Sequence, residues 1–523
     1  MKSKADRTFS YTINDNYTFK NISLKENFIF VIAVYFLLMI LARIFISNSL
    51  ELDEAEQFIL TQKLSLGYNC QPPLYTWIQW LFFKIFGCNL FALAFLKNIL
   101  LFLIYYFTYK STKIITNNKL LASLSAAAIF LFPQISWEAQ RDLTHSVLVM
   151  SIISFFIYYL LSLKYQKSQF SWKDYVFLGV ISGLGLLSKY NFIIFLSSIL
   201  IASFLDDKLK RFFIDKRILI AIIVVIFICL PHLWWFLNHT DIVIVETLNK
   251  VKPEFSLSAR FLGIINLIER SNSFLAIFLL AFGLVFYKSF KNQGEKLLFN
   301  YFIVLIFLLM LLTIFVGVVH YKERWLMPLL FPIVVYLASK IEIKFLKTKY
   351  IYRFFSFVVL LMVIIFVVYI VRVIMPDKWK PVRFNYPFEK VAKDISNTGF
   401  KKGIIITPSK LIAGNMKHWF LDSYVINSSL SSILETDELN NLVKKYQQIL
   451  IISDKTLLID KIKNKLPSNT TFKKLIIREP YLYSSKNYYT IEIVLIEKKS
   501  ISKISKSNNF ANYWFEMINK RFA

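Results

Sequence analysis

Long apolar runs separated by short polar segments dominate the first 375 residues of the chain. Many of these runs approach the roughly 20 residues that a helix needs to cross a bilayer. The pattern predicts spans near 28–47, 90–109, 120–134, 144–163, 175–188, 190–205, 218–237, 272–287, 297–319, 325–339 and 354–374. Hydrophobic residues make up 56% of the chain, which excludes an ordinary soluble domain. We therefore predict an α-helical polytopic membrane protein with about 11 spans.

After a polar linker at 375–387 the pattern changes to short β-rich runs that alternate with helical patterns. Strands are predicted over 403–408, 423–427, 448–454, 473–480 and 488–497, and helices over 387–399, 409–420 and 456–466. This alternation is typical of a small α/β domain. The chain thus divides into an N-terminal segment (1–27), a transmembrane domain (28–375) and a C-terminal α/β domain (376–523).

The stretch 73–87 is apolar and aromatic but short for a span. We predict a helix that lies in the outer membrane interface, with Trp77 and Trp80 at the level of the headgroups. Reading this stretch as a span would invert every later loop and place the basic runs outside the cell, against their usual position.

The formal net charge of +29 is unevenly placed. With a cytoplasmic N-terminus, the predicted inner loops hold 19 basic residues and the outer loops hold 9. The positive-inside rule then assigns 48–72, 135–143, 189, 238–271, 320–324 and the α/β domain to the outer side. This placement argues against nucleic acid as a partner and makes membrane lipids the expected surroundings.

The three cysteines, Cys70, Cys88 and Cys229, lack the spacing of a metal or redox site. Cys70 and Cys88 both fall on the predicted outer side. Either a disulfide or two unpaired thiols would fit there.

Four acids stand in the segment ELDEAEQ (51–57), at the outer end of the first span: Glu51, Asp53, Glu54 and Glu56. Carboxylates beside a bilayer are costly unless they pair or line a wet cavity, so they indicate a functional site. The alternative is a helix cap, in which Asp53 caps the helix and Glu56 stands three residues later.

Three more polar segments fall on the same predicted side: WEAQRDLTH (137–145), SKYN (188–191) and HYKERW (320–325). Together they predict a site for a ligand that is anionic at one end and hydroxylated at the other. Structural roles stay open for these residues. Asp142 can pair with Arg141 or cap a helix. Lys189 can anchor at the interface, and Lys322 and Arg324 can bind lipid headgroups.

The run LDEAEQFILTQKLSLGYNCQPPLYTWI (52–78) closely resembles the first outer loop of bacterial polyprenyl-phosphate-sugar-dependent glycosyltransferases of the GT-C type. That class is related to the protein O-mannosyltransferases and includes the lipid A aminoarabinose transferases. The likeness rests on 53–55, 64–68 and the pair at 72–73, with weaker matches at 183–191, 322–332 and 413–425. The aminoarabinose transferases carry Arg where this chain has Glu56, and Glu-Lys where it has Cys70 and Gln71.

The resemblance implies a GT-C-like fold in the bacterial inner membrane. It also implies an inverting transfer of a sugar from a polyprenyl-phosphate donor to an envelope acceptor, lipid A or core lipopolysaccharide, at the periplasmic face. Asp53 is expected to be the base, with Glu54 and Asp142 orienting it or binding sugar hydroxyls. The expected partners of the leaving phosphate are Lys189, Lys322 and Arg324, followed by Arg141. Tyr190, His320 and Tyr321 are expected to contact the sugar.

The departures at Glu56, Cys70 and Gln71 argue against a bound zinc but leave a divalent metal open. Other activities stay open as well. They are protein O-glycosylation, transport of a lipid-linked sugar, and a non-catalytic scaffold. A transporter would not need an acidic cluster confined to one side, nor a domain after the last span.

Overall fold

The computed structural model describes residues 27–68, 71–427, 441–442, 445–446, 448–454 and 472–497. The first half of the chain forms helices α1 Phe28–Ile46, α2 Leu52–Leu60, α3 Leu74–Phe86, α4 Leu90–Thr116, α5 Lys119–Ala128, α6 Ala139–Arg141, α7 Thr144–Tyr165, α8 Trp172–Ser188, α9 Phe192–Phe204, α10 Asp207–Ile214 and α11 Ile218–Asn238. The stretch predicted at 73–87 forms helix α3, and its location in the membrane interface stays a prediction.

The second half continues with α12 Thr240–Val251, α13 Leu257–Phe286, α14 Lys296–Leu311, α15 Glu323–Leu330, α16 Ile333–Ser339, α17 Thr348–Ile374 and α18 Pro376–Trp379. Helix α13 begins well before the predicted span at 272–287, and so extends into the segment 238–271 that was assigned to the outer side. Ser256 explains the early start, because its side chain accepts a hydrogen bond from the Ala259 N–H and caps the helix.

In the described part of the chain, seven helices are long and apolar enough to cross a membrane. An eighth candidate is Lys119–Leu131 with Gln134–Arg141, a pair bent by 77°. The predicted multi-pass α-helical architecture is confirmed, whereas the exact number of crossings stays a prediction.

Glycines allow two of these helices to pack closely. A Cβ atom on Gly179 of α8 would lie 2.6 Å from the Ala221 carbonyl oxygen of α11. One turn later, a Cβ on Gly183 would lie 3.0 Å from the Ile228 side chain. Small residues four apart permit this approach of backbones, as is usual between membrane helices.

The C-terminal domain contains helices α19 Phe388–Asn397 and α20 Lys410–Trp419 and a five-stranded sheet. The strands are β1 Ile404–Thr407, β2 Tyr424–Asn427, β3 Gln448–Ser453, β4 Phe472–Pro480 and β5 Tyr488–Glu497, in the order β2-β1-β3-β5-β4. Strand β1 is parallel to β2 and β3, and β5 is antiparallel to β3 and β4. The predicted α/β fold is confirmed; the helix predicted at 456–466 lies outside the described residues.

Within the described part of the chain, Cys88 and Cys229 do not form a disulfide with each other. Cys70 lies outside the described residues, so both alternatives for Cys70 and Cys88, a disulfide or two thiols, stay predictions.

Candidate active site

Helix α2 carries the acidic segment and starts with a capping box. Glu51 is the cap, and the Glu54 side chain accepts a hydrogen bond from the Glu51 N–H at 2.9 Å. The alternative cap predicted from the sequence, Asp53 with Glu56, was wrong by two residues. Because Glu51 and Glu54 satisfy the helix end, the Asp53 carboxylate is available for other contacts.

Asp53 faces the break between α6 and α7. Its Oδ2 accepts a hydrogen bond from the Thr144 backbone N–H at 3.1 Å, and its own N–H lies 3.4 Å from Asp142 Oδ1. Leu143 between them has φ +70°, a left-handed conformation that is rare for a leucine. Strained backbone of this kind tends to occur at functional sites, where the surroundings enforce it. The structure thus brings Asp53 and Asp142 together, as the sequence predicts.

A lysine within the second long apolar helix supports the same break. Lys97 of α4 donates a hydrogen bond from Nζ to the Arg141 carbonyl oxygen at 2.9 Å. This carbonyl belongs to the last residue of α6 and has no following helical turn to bond to. The buried Lys97 ammonium group within α4 is therefore explained by its hydrogen bond to the end of α6.

Glu51 and Asp142 share a cation that the sequence analysis missed. Arg383 Nη1 lies 3.0 Å from Glu51 Oε2 and 3.0 Å from Asp142 Oδ2. Arg141 adds a second contact, with its Nε 3.6 Å from Glu51 Oε1. Burial and the nearby Asp142 charge raise the pKa of Glu51, and the two arginines oppose this. The only sequence signal for Arg383 was its place in the linker segment RFNYP (383–387).

Glu54 is held on the first span. Its carboxylate accepts hydrogen bonds from Arg43 Nε at 3.0 Å and Nη2 at 2.7 Å, and both side chains are buried. Burial alone would raise the pKa of Glu54, but the charge and hydrogen bonds of Arg43 outweigh it and the pKa is lowered. This geometry favours orientation of the loop over direct contact with a sugar.

Lys189 stands between α8 and α9 and points into the protein. Its Nζ donates to Ser146 Oγ at 2.7 Å and to the Arg324 carbonyl oxygen at 3.1 Å. Burial and, to a smaller extent, the Arg324 charge lower the pKa of Lys189 to about 7, with Asp53 acting in the opposite direction. The predicted cation is therefore near the acidic cluster but fully enclosed.

A cavity of about 550 Å³ adjoins the helix break. Its walls consist mostly of charged and polar side chains. The lining residues are Glu138, Leu143, Asn266, Arg270, His320, Tyr321, Lys322, Glu323 and Arg324. Lys322, Arg324 and His320 are exposed to it, as predicted for ligand contacts. Tyr321 lines the wall, but its buried hydroxyl bonds to Thr313 Oγ1 at 2.9 Å, which points that group away from a ligand.

Tyr190 lies in a different environment. Its hydroxyl is 3.2 Å from His232 Nε2, and His232 Nδ1 is 3.1 Å from the Leu66 carbonyl oxygen. Next to Leu66, a Cβ on Gly67 would lie 2.0 Å from the Trp235 ring. The LSLGY segment is thus packed onto α11, and Gly67 is required for that contact. In the described residues, no group of three or more His, Cys, Asp or Glu side chains is placed to hold a metal ion.

Comparisons with known proteins agree with this architecture. Residues 70–235 match the dolichyl-phosphate-mannose-protein mannosyltransferase family. The lipopolysaccharide core galacturonosyltransferase RgtB of Rhizobium johnstonii is 35% identical over 344 residues, which cover 64% of this chain and 69% of RgtB. RgtA of the same organism, also a lipopolysaccharide core galacturonosyltransferase, is 30% identical over 407 residues, or 76% of this chain and 81% of RgtA.

The fold also matches solved structures. Crystal structures of ArnT from Cupriavidus metallidurans, in the apo state and bound to undecaprenyl phosphate, superpose with a TM-score of 0.57 at 11% and 10% identity. Each comparison covers 90% of this chain and 98% of ArnT. The resemblance inferred from the first outer loop is confirmed. The chain belongs to the bacterial GT-C glycosyltransferases, in the family of the lipopolysaccharide core galacturonosyltransferases.

Proposed function

We propose that this glycosyltransferase moves a galacturonosyl group from a polyprenyl phosphate to the core or lipid A region of lipopolysaccharide, at the periplasmic face of the inner membrane. The names of RgtA and RgtB support the sugar and the acceptor, and the undecaprenyl phosphate bound to ArnT supports the donor. The observation that carries the proposal is the pair Asp53 and Asp142 beside a cavity with three basic side chains.

In the proposed reaction an acceptor hydroxyl oxygen attacks the anomeric carbon of the donor. The Asp53 carboxylate takes the hydroxyl proton, as a general base. The bond from the anomeric carbon to the phosphate oxygen breaks, its electron pair stays on that oxygen, and polyprenyl phosphate leaves with inversion of configuration. The Thr144 N–H bonded to Asp53 Oδ2 holds the carboxylate in one orientation during this step.

The cavity suits a donor with two anionic groups. Arg270, Lys322 and Arg324 line it, and charged hydrogen bonds from such groups to phosphate or carboxylate are stronger than neutral ones. Glu323 is kept in place by Gln134 Nε2 at 2.6 Å and Ser273 Oγ at 2.7 Å, and could accept from sugar hydroxyls on its remaining lone pairs. A uronic acid adds a carboxylate that an uncharged hexose lacks, which fits the basic side of this cavity.

The role of Asp53 is tested with purified protein, synthetic polyprenyl-phosphate galacturonate and lipopolysaccharide core acceptor. Asp53→Asn should lower kcat by about 10³-fold, because the amide cannot take the proton. Glu56→Gln is the matched control, since it makes the same charge change on α2 at a carboxylate 3.6 Å from Lys410 Nζ. Equal kcat in the wild type and Asp53→Asn would remove Asp53 as the base.

The sugar and the acceptor are tested in cells. Mass spectrometry of lipid A and core oligosaccharide from a deletion strain should show the loss of one or more hexuronic acids. Their return should require the wild-type gene and fail with Asp53→Asn. Unchanged lipopolysaccharide in the deletion strain would refute this donor and acceptor, and analysis of envelope proteins would then test O-glycosylation.

A further inference from the structure

Arg383 reaches the active site from the segment between α18 and α19, which leads into the C-terminal domain. One nitrogen, Nη1, contacts Glu51 Oε2 and Asp142 Oδ2, each at 3.0 Å. The Arg383 side chain is 36% exposed, whereas that of Glu51 is 1% exposed. The guanidinium thus lies at the mouth of the acidic cluster and bridges the buried Glu51 and the partly exposed Asp142.

The backbone around Arg383 is fixed from several sides. Asn385 accepts a hydrogen bond from the Val382 N–H at 2.9 Å. Its side-chain amide donates to the Val373 carbonyl at the end of α17 and to the Leu482 carbonyl of the C-terminal domain, at 2.7 and 3.0 Å. Phe384 packs beneath the Arg43 guanidinium, 4.6 Å from its ring centroid. Arg383 is therefore presented from a rigid turn.

This bridge is connected to the base through Asp142. Arg383 holds Asp142 Oδ2, and Asp142 Oδ1 lies 3.4 Å from the Asp53 N–H. A displacement of the Asp142 carboxylate would therefore alter the first turn of α2, which carries Asp53.

We infer that Arg383 is a positioning residue of the transfer reaction: by bridging Glu51 and Asp142 it fixes both carboxylates and thereby sets the orientation of Asp53. This inference rests on the proposed function, because the readout is the same glycosyl transfer. It assigns the C-terminal part of the chain a direct role in the active site.

The test compares Arg383→Gln and Arg383→Lys with Lys378→Gln, an exposed cation in the same linker. Arg383→Gln should lower kcat by about 10²-fold with little change in either KM, since misplacement of a catalytic group by about 1 Å has this effect. The acid limb of its kcat–pH profile should move up by about one unit, because Glu51 loses a cation that lowers the pKa of its carboxyl group. Arg383→Lys should return the limb to its wild-type position and recover part of kcat.

Arg383→Gln leaves a buried carboxylate without its main partner and could unfold the protein. The double variant Glu51→Gln with Arg383→Gln removes that carboxylate as well and serves as the second test. It should fold, as judged by thermal melting, and still show the lowered kcat. If the wild type shows turnover and either variant keeps the wild-type kcat and pH profile, the inference about Arg383 is overturned while the proposed function stands. A wild-type protein without turnover refutes the proposed function itself.

Discussion

Lys189 shows how a single residue can make the site sensitive to pH. Its ammonium group is buried, and it is bonded to Ser146 and to the Arg324 carbonyl. Burial lowers the pKa of Lys189 to about 7, so the group loses its proton near neutral pH instead of far above it. Because Lys189 is enclosed, its charge acts on a donor phosphate through the Arg324 segment that it holds at the cavity wall, and this effect weakens as the pH rises.

We predict that the KM for the polyprenyl-phosphate donor rises by about tenfold between pH 6 and pH 8.5, as Lys189 becomes neutral. Lys189→Met should show a high KM that no longer depends on pH in this range. Lys84→Met is the control, because Lys84 lies over the Trp80 ring on α3, 5.3 Å from its centroid. A pH-independent KM in the wild type would contradict a role for Lys189 in donor binding.

At the level of helices and strands, the C-terminal domain contacts α2, the helix that carries the proposed base Asp53. Helix α20 lies against α2 so closely that a Cβ on Gly414 would be 2.3 Å from the Ala55 main chain. Asn415 Oδ1 accepts a hydrogen bond from the Leu50 N–H at 2.9 Å, just before α2. After α2, the Gln62 side chain accepts from the Val425 N–H at 2.8 Å and donates to the Val425 carbonyl at 3.1 Å. Both ends of α2 are thus held by this domain.

Gly414→Ala should separate α20 from α2 and lower kcat by about tenfold, with destabilisation of about 1–3 kcal/mol from overpacking. Gly283→Ala is the matched control, because nothing lies within 4 Å of a Cβ at that helical position. Thermal melting and the transfer assay measure both effects. Equal stability and activity of the two variants would show that the contact between α20 and α2 does not position Asp53.

Over the whole molecule, the acidic cluster and the basic loops lie at opposite ends of the helices. The C-terminal domain packs on the segment that follows α1, where the Ser47 hydroxyl donates to the Phe384 carbonyl and the Tyr483 hydroxyl to the Ile46 carbonyl. The acidic cluster lies at this end of α1. Basic loops occupy the other end of the helices, where Lys164 pairs with Asp206 at 2.8 Å. The active site and the C-terminal domain therefore share one face.

This orientation can be checked by labelling with a membrane-impermeant maleimide in spheroplasts. In a chain whose three native cysteines are replaced by serine, Lys486→Cys in the C-terminal domain should react. Lys210→Cys, in the predicted cytoplasmic loops, should react only after the membrane is permeabilised. Both positions are exposed, so access alone separates them. The reverse labelling pattern would place the active site in the cytoplasm and refute the proposed topology.

The fold could be predicted to different depths in its two parts. The five strands of the C-terminal domain lie close to their predicted bounds, because period and β-branched content are local signals. The start of α13 was missed, since its polar residues resemble a loop until the Ser256 cap and its packing are known. Likewise, the ion-pair partners of Glu51 and Glu54 could not be predicted, because Arg383 and Arg43 reach them only through tertiary packing.

By itself the sequence determined the membrane class, the α/β domain and, through the segment 52–78, the family. These depend on hydropathy, charge and short-range pattern, which the chain carries locally. Only the tertiary structure decided which carboxylates are enclosed in ion pairs and that Arg383 completes the cluster. Arg383 and Glu51 are 332 positions apart, and a contact over that distance arises from the packing of the two domains, which no local pattern encodes.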